Sequence, residues 1–194
     1  LAALLAFSAN KNGDKVGLLL FSDQVEKYLP PNKGQKHVLR ILREVLFHSN
    51  GSKGTDLNEG LRFINQVMRR RAVVFLLSDF IIPEYESTEE SVEDLFFKEL
   101  ASTRRKHDLV CARIHDPCEL EIPNVGIVRL EDAETGEIIT IDTSRSSFRQ
   151  EYARTLSKNW EEFEKRLRRR GIDNFEFATD SDYVGTLQEF FRMR

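Results

Sequence analysis

Short unbroken apolar runs alternate with amphipathic stretches along the chain. Val16 to Phe21 is a continuous apolar run of strand length, the pattern of a strand buried on both faces. Ala72 to Leu77 reads in the same way, and Leu109 to His115 and Phe175 to Ala178 read as further strands. Val25 to Leu29 is a weaker strand closed by Pro30-Pro31, and it is predicted to pair antiparallel with Val16 to Phe21 as an edge. Between the strands the apolar period changes to that of a helix. Val38, Leu42, Val45 and Leu46 are in phase within Gln35 to His48, and Leu57, Leu61, Ile64, Val67 and Met68 in the next stretch. Helices are also predicted over Ser91 to Lys106 and Tyr183 to Phe191, and a long one over Ser146 to Arg170. The stripe of the long helix is Phe148, Tyr152, Leu156, Trp160, Phe163 and Leu167. Leu1 to Asn10 reads as the end of a helix, stopped by Asn12-Gly13-Asp14. Val125 to Leu130 and Glu137 to Ile141 read as a hairpin, with Gly136 as its left-handed turn residue.

Strands alternating with helices predict an α/β fold of three layers, a mostly parallel sheet with helices on both faces. The chain is expected to be one domain over residues 1–194, with a β-hairpin insertion at about 123–142. Its 194 residues, 40% hydrophobic and 31% charged, suffice for a core that needs no disulfide or metal staple. The net charge of −3 predicts no general attraction to nucleic acid or to an anionic membrane. Cys111 and Cys118 are the two cysteines, with no zinc-type spacing, which predicts a reducing, cytoplasmic setting. No apolar run reaches the roughly 20 residues of a membrane-spanning helix. The chain starts without Met inside a helical pattern, so it is expected to be part of a longer polypeptide.

Charge is distributed along a polar axis. Three predicted helices end in basic triplets just before a strand: Arg69-Arg70-Arg71, Arg104-Arg105-Lys106 and Arg168-Arg169-Arg170. Cations at helix C-termini are stabilised by the helix dipole, which accounts for most of this pattern. In a parallel sheet these ends share one pole, which should be basic. At the opposite, carboxyl edge the strands end in Ser22-Asp23, Ser78-Asp79, Asp116 and Asp180-Ser181-Asp182, and Thr55-Asp56 precedes a helix. Ligands of open α/β sheets bind at that edge. Carboxylates and hydroxyls without thiolate or imidazole are hard donors suited to Mg²⁺, Mn²⁺ or Ca²⁺. The same residue types are also ordinary helix N-caps.

Other motifs give less. Gly51-Ser52-Lys53-Gly54-Thr55 has the wrong order for a phosphate loop and follows a helix. Ser78 lacks the glycines of a nucleophile elbow. His37, His48, His107 and His115 are scattered, with only His115 at a strand's carboxyl end. Asp79 is a poor receiver-type phosphoacceptor, since the paired acids and the Lys of such domains are missing. The acidic stretch from Glu84 to Asp94 reads as a solvated loop leading into a helix, with docking as its alternative use.

Asn12-Gly13-Asp14-Lys15-Val16-Gly17-Leu18-Leu19-Leu20-Phe21-Ser22, Gly54-Thr55-Asp56-Leu57 and Leu77-Ser78-Asp79-Phe80 follow one another in a characteristic order. Asp116-Pro117-Cys118-Glu119, Pro123, Gly126, Asp132 and Glu134-Thr135-Gly136-Glu137 continue it. This order resembles the DUF58 family of bacterial proteins with a von Willebrand factor A-like domain. The resemblance implies a metal-ion-dependent adhesion site (MIDAS), with Thr55 and Asp79 as ligands of Mg²⁺ or Mn²⁺ and Ser22, Asp56 and Ser78 in support. It implies a non-enzymatic protein–protein interaction module, whose partner completes the metal shell with a carboxylate. A MoxR-type AAA ATPase is the implied partner. The family's Asp-x-Ser-x-Ser loop does not occur in the chain, and neither does the central strand that carries it between Val16–Phe21 and Ala72–Leu77. The metal site of this chain alone is therefore expected to be weak or absent. The alternatives are a Mg²⁺-dependent phosphoryl-transfer or hydrolytic enzyme using Asp79, and a structural scaffold with a degenerate metal site.

Overall fold

The unbroken apolar runs become strands in the computed structural model, which describes residues 1–48, 54–81, 92–131 and 138–193. The chain divides into two units, Leu1–Val67 and Met68–Arg194. The first contains α1 (Ala2–Lys11), β1 (Val16–Phe21), β2 (Val25–Asn32), α2 (Gln35–Phe47) and α3 (Leu57–Val67). Gly13, at φ 77°, takes the left-handed turn that ends α1, as the Asn-Gly-Asp signal predicts. β1 and β2 pair antiparallel, with Leu18 opposite Leu29 and Leu20 opposite Lys27. The expected stop at Pro30-Pro31 is not where β2 ends, because the strand continues to Asn32. An edge strand needs no N–H donor on its unpaired side, and a register shift between Val16 and Leu18 lies opposite the prolines.

α2 buries Val38 and Ile41, whereas Val45 and Leu46 of its predicted stripe remain 40% and 72% exposed. After α2, His48 Nε2 meets Glu26 Oε2 at 2.7 Å. α3 packs on both strands of this unit through Leu57 and Leu61. Its closest approach to β1 is at Gly60, where a Cβ would stand 2.7 Å from the Phe21 ring.

The second unit contains β3 (Val73–Ser78), α4 (Val92–Lys106), β4 (Asp108–His115), α5 (Pro117–Leu120), β5 (Ile127–Glu131), β6 (Ile138–Asp142), α6 (Ser146–Arg169), β7 (Asp173–Ala178) and α7 (Tyr183–Met193). β3, β4 and β7 form a parallel sheet in that order, with Val73 opposite Asp108 and Val110 opposite Asp173. The central strand has four consecutive residues of zero exposure, Leu109 to Ala112, so both of its faces are covered. The architecture is thus mixed α/β, as the alternation predicts, and its parallel part is this three-stranded sheet. β1 with β2 and β5 with β6 each form an antiparallel pair.

The hairpin forms where predicted, with Val128 opposite Ile141 and Leu130 opposite Ile139 on one face. Gly136, expected at its turn, lies outside the described residues, as do Gly51-Ser52-Lys53 and the acidic residues Glu84 to Glu90. α5 went unpredicted, although its signal is present. Asp116 accepts the Cys118 N–H, Glu119 reaches back to the Asp116 N–H, and Pro117 opens the turn. α6 buries only the C-terminal half of its stripe, Trp160, Phe163 and Leu167.

An aromatic layer fills the space between the sheet and its helices. Phe80, Phe96, Phe97, Trp160 and Phe163 touch with ring centroids 5.2 to 6.4 Å apart. Its edges are closed by cations, with Arg113 4.5 Å above Trp160 and Arg166 3.9 Å above Phe97. Arg166 also pairs with Glu93 and Asp94, tying α6 to α4. His107, between α4 and β4, is 1% exposed, and neither ring nitrogen has a hydrogen-bond partner among the described residues. Burial, assisted by the Lys106 charge, holds its pKa below the usual histidine value.

Two predictions follow from this packing. Gly60→Ala must push the Phe21 ring aside, and the overpacking cost of about 1–3 kcal/mol outweighs the gain of about 1 kcal/mol in helix propensity. Urea denaturation should therefore show net destabilisation. His107 is neutral when folded and binds a proton more readily when unfolded. Its contribution is fully present above the unfolded pKa of about 6.5 and is lost as pH falls below it. The fall in stability between about pH 7.5 and about pH 5.5 should be smaller in His107→Leu than in the parent.

Candidate functional site

The carboxyl end of β1 is built by two loops that hydrogen-bond each other. Ser22 follows the strand, is 4% exposed, and donates its hydroxyl to Asp23 Oδ1 at 3.2 Å. The Asp56 N–H donates to the Ser22 carbonyl at 2.9 Å. Asp56 Oδ1 in turn accepts the Asn58 N–H at 2.8 Å, capping α3. Thr55 is exposed between Gly54 and Asp56, and a Cβ on Gly54 would stand 3.8 Å from Asp23 Cβ. Of the expected residues, Ser22, Thr55 and Asp56 are therefore brought together in the first unit, along with Asp23. Sequence reasoning missed Asn58. It is 7% exposed, and its Oδ1 is buried without a hydrogen-bond partner among the described residues. A lone Asn after a capping Asp carries no sequence signal for such burial.

The second pair, Ser78 and Asp79, lies in the second unit at the end of β3. Ser78 Oγ donates to Asp79 Oδ1 at 3.3 Å and accepts the Phe80 N–H at 3.1 Å. Asp79 Oδ1 also accepts the Ile81 N–H at 3.1 Å. These bonds close a tight turn in which Phe80 adopts φ 57°, a left-handed conformation unfavourable for a bulky side chain by roughly 1–2 kcal/mol. Phe80 is 8% exposed within the aromatic layer. Burial of the ring holds the backbone in this conformation and leaves Asp79 exposed at the strand end.

The other polar strand ends are caps. Asp116 serves α5, and the Cys118 backbone N–H holds its carboxyl below the usual range. The same carboxylate pushes the Cys118 thiol pKa up. Asp182 Oδ1 accepts the Val184 and Gly185 N–H groups at the start of α7. Two of the histidines stand beside oxygen atoms of other elements. His37 Nε2 lies 2.9 Å from the Val16 carbonyl oxygen, and His115 Nδ1 lies 3.9 Å from Glu176. Among the described residues no three His, Cys, Asp or Glu side chains cluster in a way that could hold a metal ion. Oxygen donors of the hydroxyl and amide kind stand outside that count. At this loop Ser22, Asp23, Thr55 and Asp56 carry hydroxyl and carboxylate oxygens, donor types that suit hard divalent cations. Cys111 and Cys118 are both free thiols, the first buried.

A family model described as "Protein of unknown function DUF58" matches residues 1–162, most of the chain. The chain belongs to the DUF58 family. Among relatives, the uncharacterized protein Rv1480 of Mycobacterium tuberculosis is 24% identical over 197 aligned residues, covering 100% of this chain and 58% of its own length. The uncharacterized protein MAV169 of Mycobacterium avium is 24% identical, covering 86% of this chain and 93% of its own. This DUF58 chain thus spans little more than half of Rv1480. In fold it is similar to the conserved hypothetical protein BatB from Bacteroides thetaiotaomicron, with a TM-score of 0.51 at 16% identity over 99% of this chain and 84% of that one. No helix among the described residues is long and apolar enough to cross a membrane.

The turn at Phe80 gives a test of the site's foundation. Phe80→Ala should cost about 3–5 kcal/mol, the upper range for a buried aromatic. The fluorescence of Trp160, the sole tryptophan, should change with it, because the two rings lie 6.2 Å apart. Differential scanning calorimetry and the emission spectrum read the two effects.

Proposed function

We propose that this DUF58 chain is a non-enzymatic module for protein–protein contact that works through a divalent cation. The observation that carries the reading is the hydrogen bond from the Asp56 N–H to the Ser22 carbonyl, which fixes a loop of hydroxyls and carboxylates at the end of β1. Thr55 and Asp79 are the proposed ligands of Mg²⁺ or Mn²⁺, in the manner of a von Willebrand A-type adhesion site, with Ser22, Asp56 and Ser78 in support. The cation, when bound, supplies positive charge for a partner's carboxylate. The chain's own residues do the rest. Ser22 and Asp56 order the loop, and the Ser78–Ile81 turn holds the Asp79 carboxylate at the end of its strand.

Binding without turnover is favoured by the state of the acid–base groups. Proton transfer in catalysis needs a general acid or base within reach of the reacting atom. Among the described residues Asp79 hydrogen-bonds Ser78 and Ile81, not a Lys or His. The partner that the family resemblance implies is a MoxR-type AAA ATPase, which would offer the carboxylate. A cytoplasmic setting agrees with the two free thiols.

Calorimetric titration of Mn²⁺ into the full-length protein tests the reading, with Asp79→Ala and Thr55→Ala as variants. Binding heat should appear in the parent and fall at least about tenfold in affinity in each variant, with circular dichroism unchanged. Absence of heat in the parent would overturn the metal-bridged contact and favour the scaffold. Metal-dependent hydrolysis of a generic phosphate ester that requires Asp79 would favour the enzyme.

A further inference from the structure

The parallel sheet gathers cations that the net charge conceals. β3, β4 and β7 run in the same direction with aligned starts, so the residues before them lie at one end of the second unit. Those residues are Arg69–Arg71, Arg104–Lys106 and Arg168–Arg170. Neighbouring strands stand about 4.8 Å apart, so the three entry points span about 10 Å, close to one Debye length at 0.1 M salt. The three triplets therefore act as one field. Without these nine cations the second unit would carry 11 basic residues against 26 acidic ones. The remainder of this unit is strongly negative, so the second unit has a marked charge axis.

Some of these cations serve the fold. Arg104 donates to the Gly171 carbonyl, Arg168 pairs with Glu164, and Arg170 lies over Phe97. Asp108 and Asp173, at the strand starts, are partly buried. Arg69, Arg70, Arg71, Arg105 and Arg169 are exposed and have no ion pair or hydrogen bond among the described residues. A helix dipole does not explain all five. α3 ends at Val67, before the first triplet, which leads directly into β3. Apolar side chains accompany the cations. Val73 at the start of β3 is 54% exposed, and Met193 at the end of α7 is 76% exposed. Met193 lines a shallow recess with Gly171 and Asp173, which places it at this end.

We propose that this basic end of the second unit docks on an anionic phospholipid surface. Guanidinium groups bind lipid phosphates and carboxylates in bidentate fashion, and exposed apolar side chains among them enter the headgroup layer. The negative remainder of the second unit is repelled by the same surface and sets the orientation of this unit. A nucleic acid fits less well, because the cations sit on strand-entry segments and not on a helix or ribbon that could enter a groove.

The test is co-sedimentation of the full-length protein with vesicles of phosphatidylcholine containing about 30% phosphatidylserine, and with pure phosphatidylcholine vesicles. Binding is expected only to the anionic vesicles, and it should weaken steeply from about 0.1 M to about 0.5 M salt. The variant R69Q/R70Q/R71Q/R105Q/R169Q should lose more than about tenfold in affinity, since each cation near such a surface is worth roughly fivefold. A control carries the same charge change in the first unit, at the exposed Lys11, Lys15, Lys33, Lys36 and Arg40. It should bind nearly as the parent does. Equal loss in the control would show that net charge alone governs binding and would overturn the assignment. Failure to bind anionic vesicles at low salt, or tighter capture by a DNA duplex at equal salt, would overturn it as well.

Discussion

The second unit depends on burying Phe80. Its ring contacts Phe96, Trp160 and Phe163, and thereby joins the end of β3 to α4 and α6. Its backbone stands at φ 57°, which the ring's burial must hold against local strain. The two hydrogen bonds around it, to Ser78 Oγ and Asp79 Oδ1, are neutral or exposed and are worth about 1 kcal/mol each in net terms. They cannot fix the turn alone. Burial of an aromatic side chain contributes several times as much. The hydrophobic layer therefore sets the direction in which an exposed carboxylate leaves the sheet, so packing and site geometry are parts of one interaction.

Strand direction has a second consequence. When β3, β4 and β7 run parallel, every helix entering the sheet ends at one edge and every turn leaving it starts at the other. Cations favoured at helix C-termini and caps favoured at helix N-termini are then sorted without selection for either cluster. This sorting explains why the unit has chemically unlike ends. It does not explain Arg69 to Arg71, which lie beyond the end of α3 at Val67 and have no ion pair or hydrogen bond among the described residues. That excess is what separates a by-product of topology from a surface with a use.

Much of this was legible in the sequence, for reasons that differ by element. β4 reads as a strand because a doubly covered strand must be apolar at every position, and Leu109 to Ala112 are. The C-terminal half of α6 was visible through Trp160, Phe163 and Leu167, but periodicity could not show that Phe148 and Tyr152 would stay half-exposed. In α2 the helical phase was right and the burial of Val45 and Leu46 was not, since phase tells which residues share a face and not how far that face is covered. The DUF58 membership was readable from short motifs in order. The pairing of Ser22 with Asp56 was readable only as a shared edge, and its hydrogen bond depends on a loop path that no local pattern encodes. The left-handed Phe80 was invisible, because sequence signals for positive φ are Gly, Asn and Asp.

Caps and ligands are often treated as competing explanations for an Asp at a strand or helix end. In this chain they are compatible. A carboxylate offers two oxygens and about four acceptor positions. In Asp79 the bonds from Ser78 and Ile81 both go to Oδ1. In Asp56 the bond from Asn58 likewise goes to Oδ1. An oxygen satisfied by its own backbone fixes the carboxylate plane and so the direction of the other oxygen. Rotamer freedom lost in the cap need not be lost again on binding, which lowers the ordering cost of a later contact. The capping reading and the binding reading of these strand ends are therefore successive, with local structure first orienting groups that a charged partner can then use.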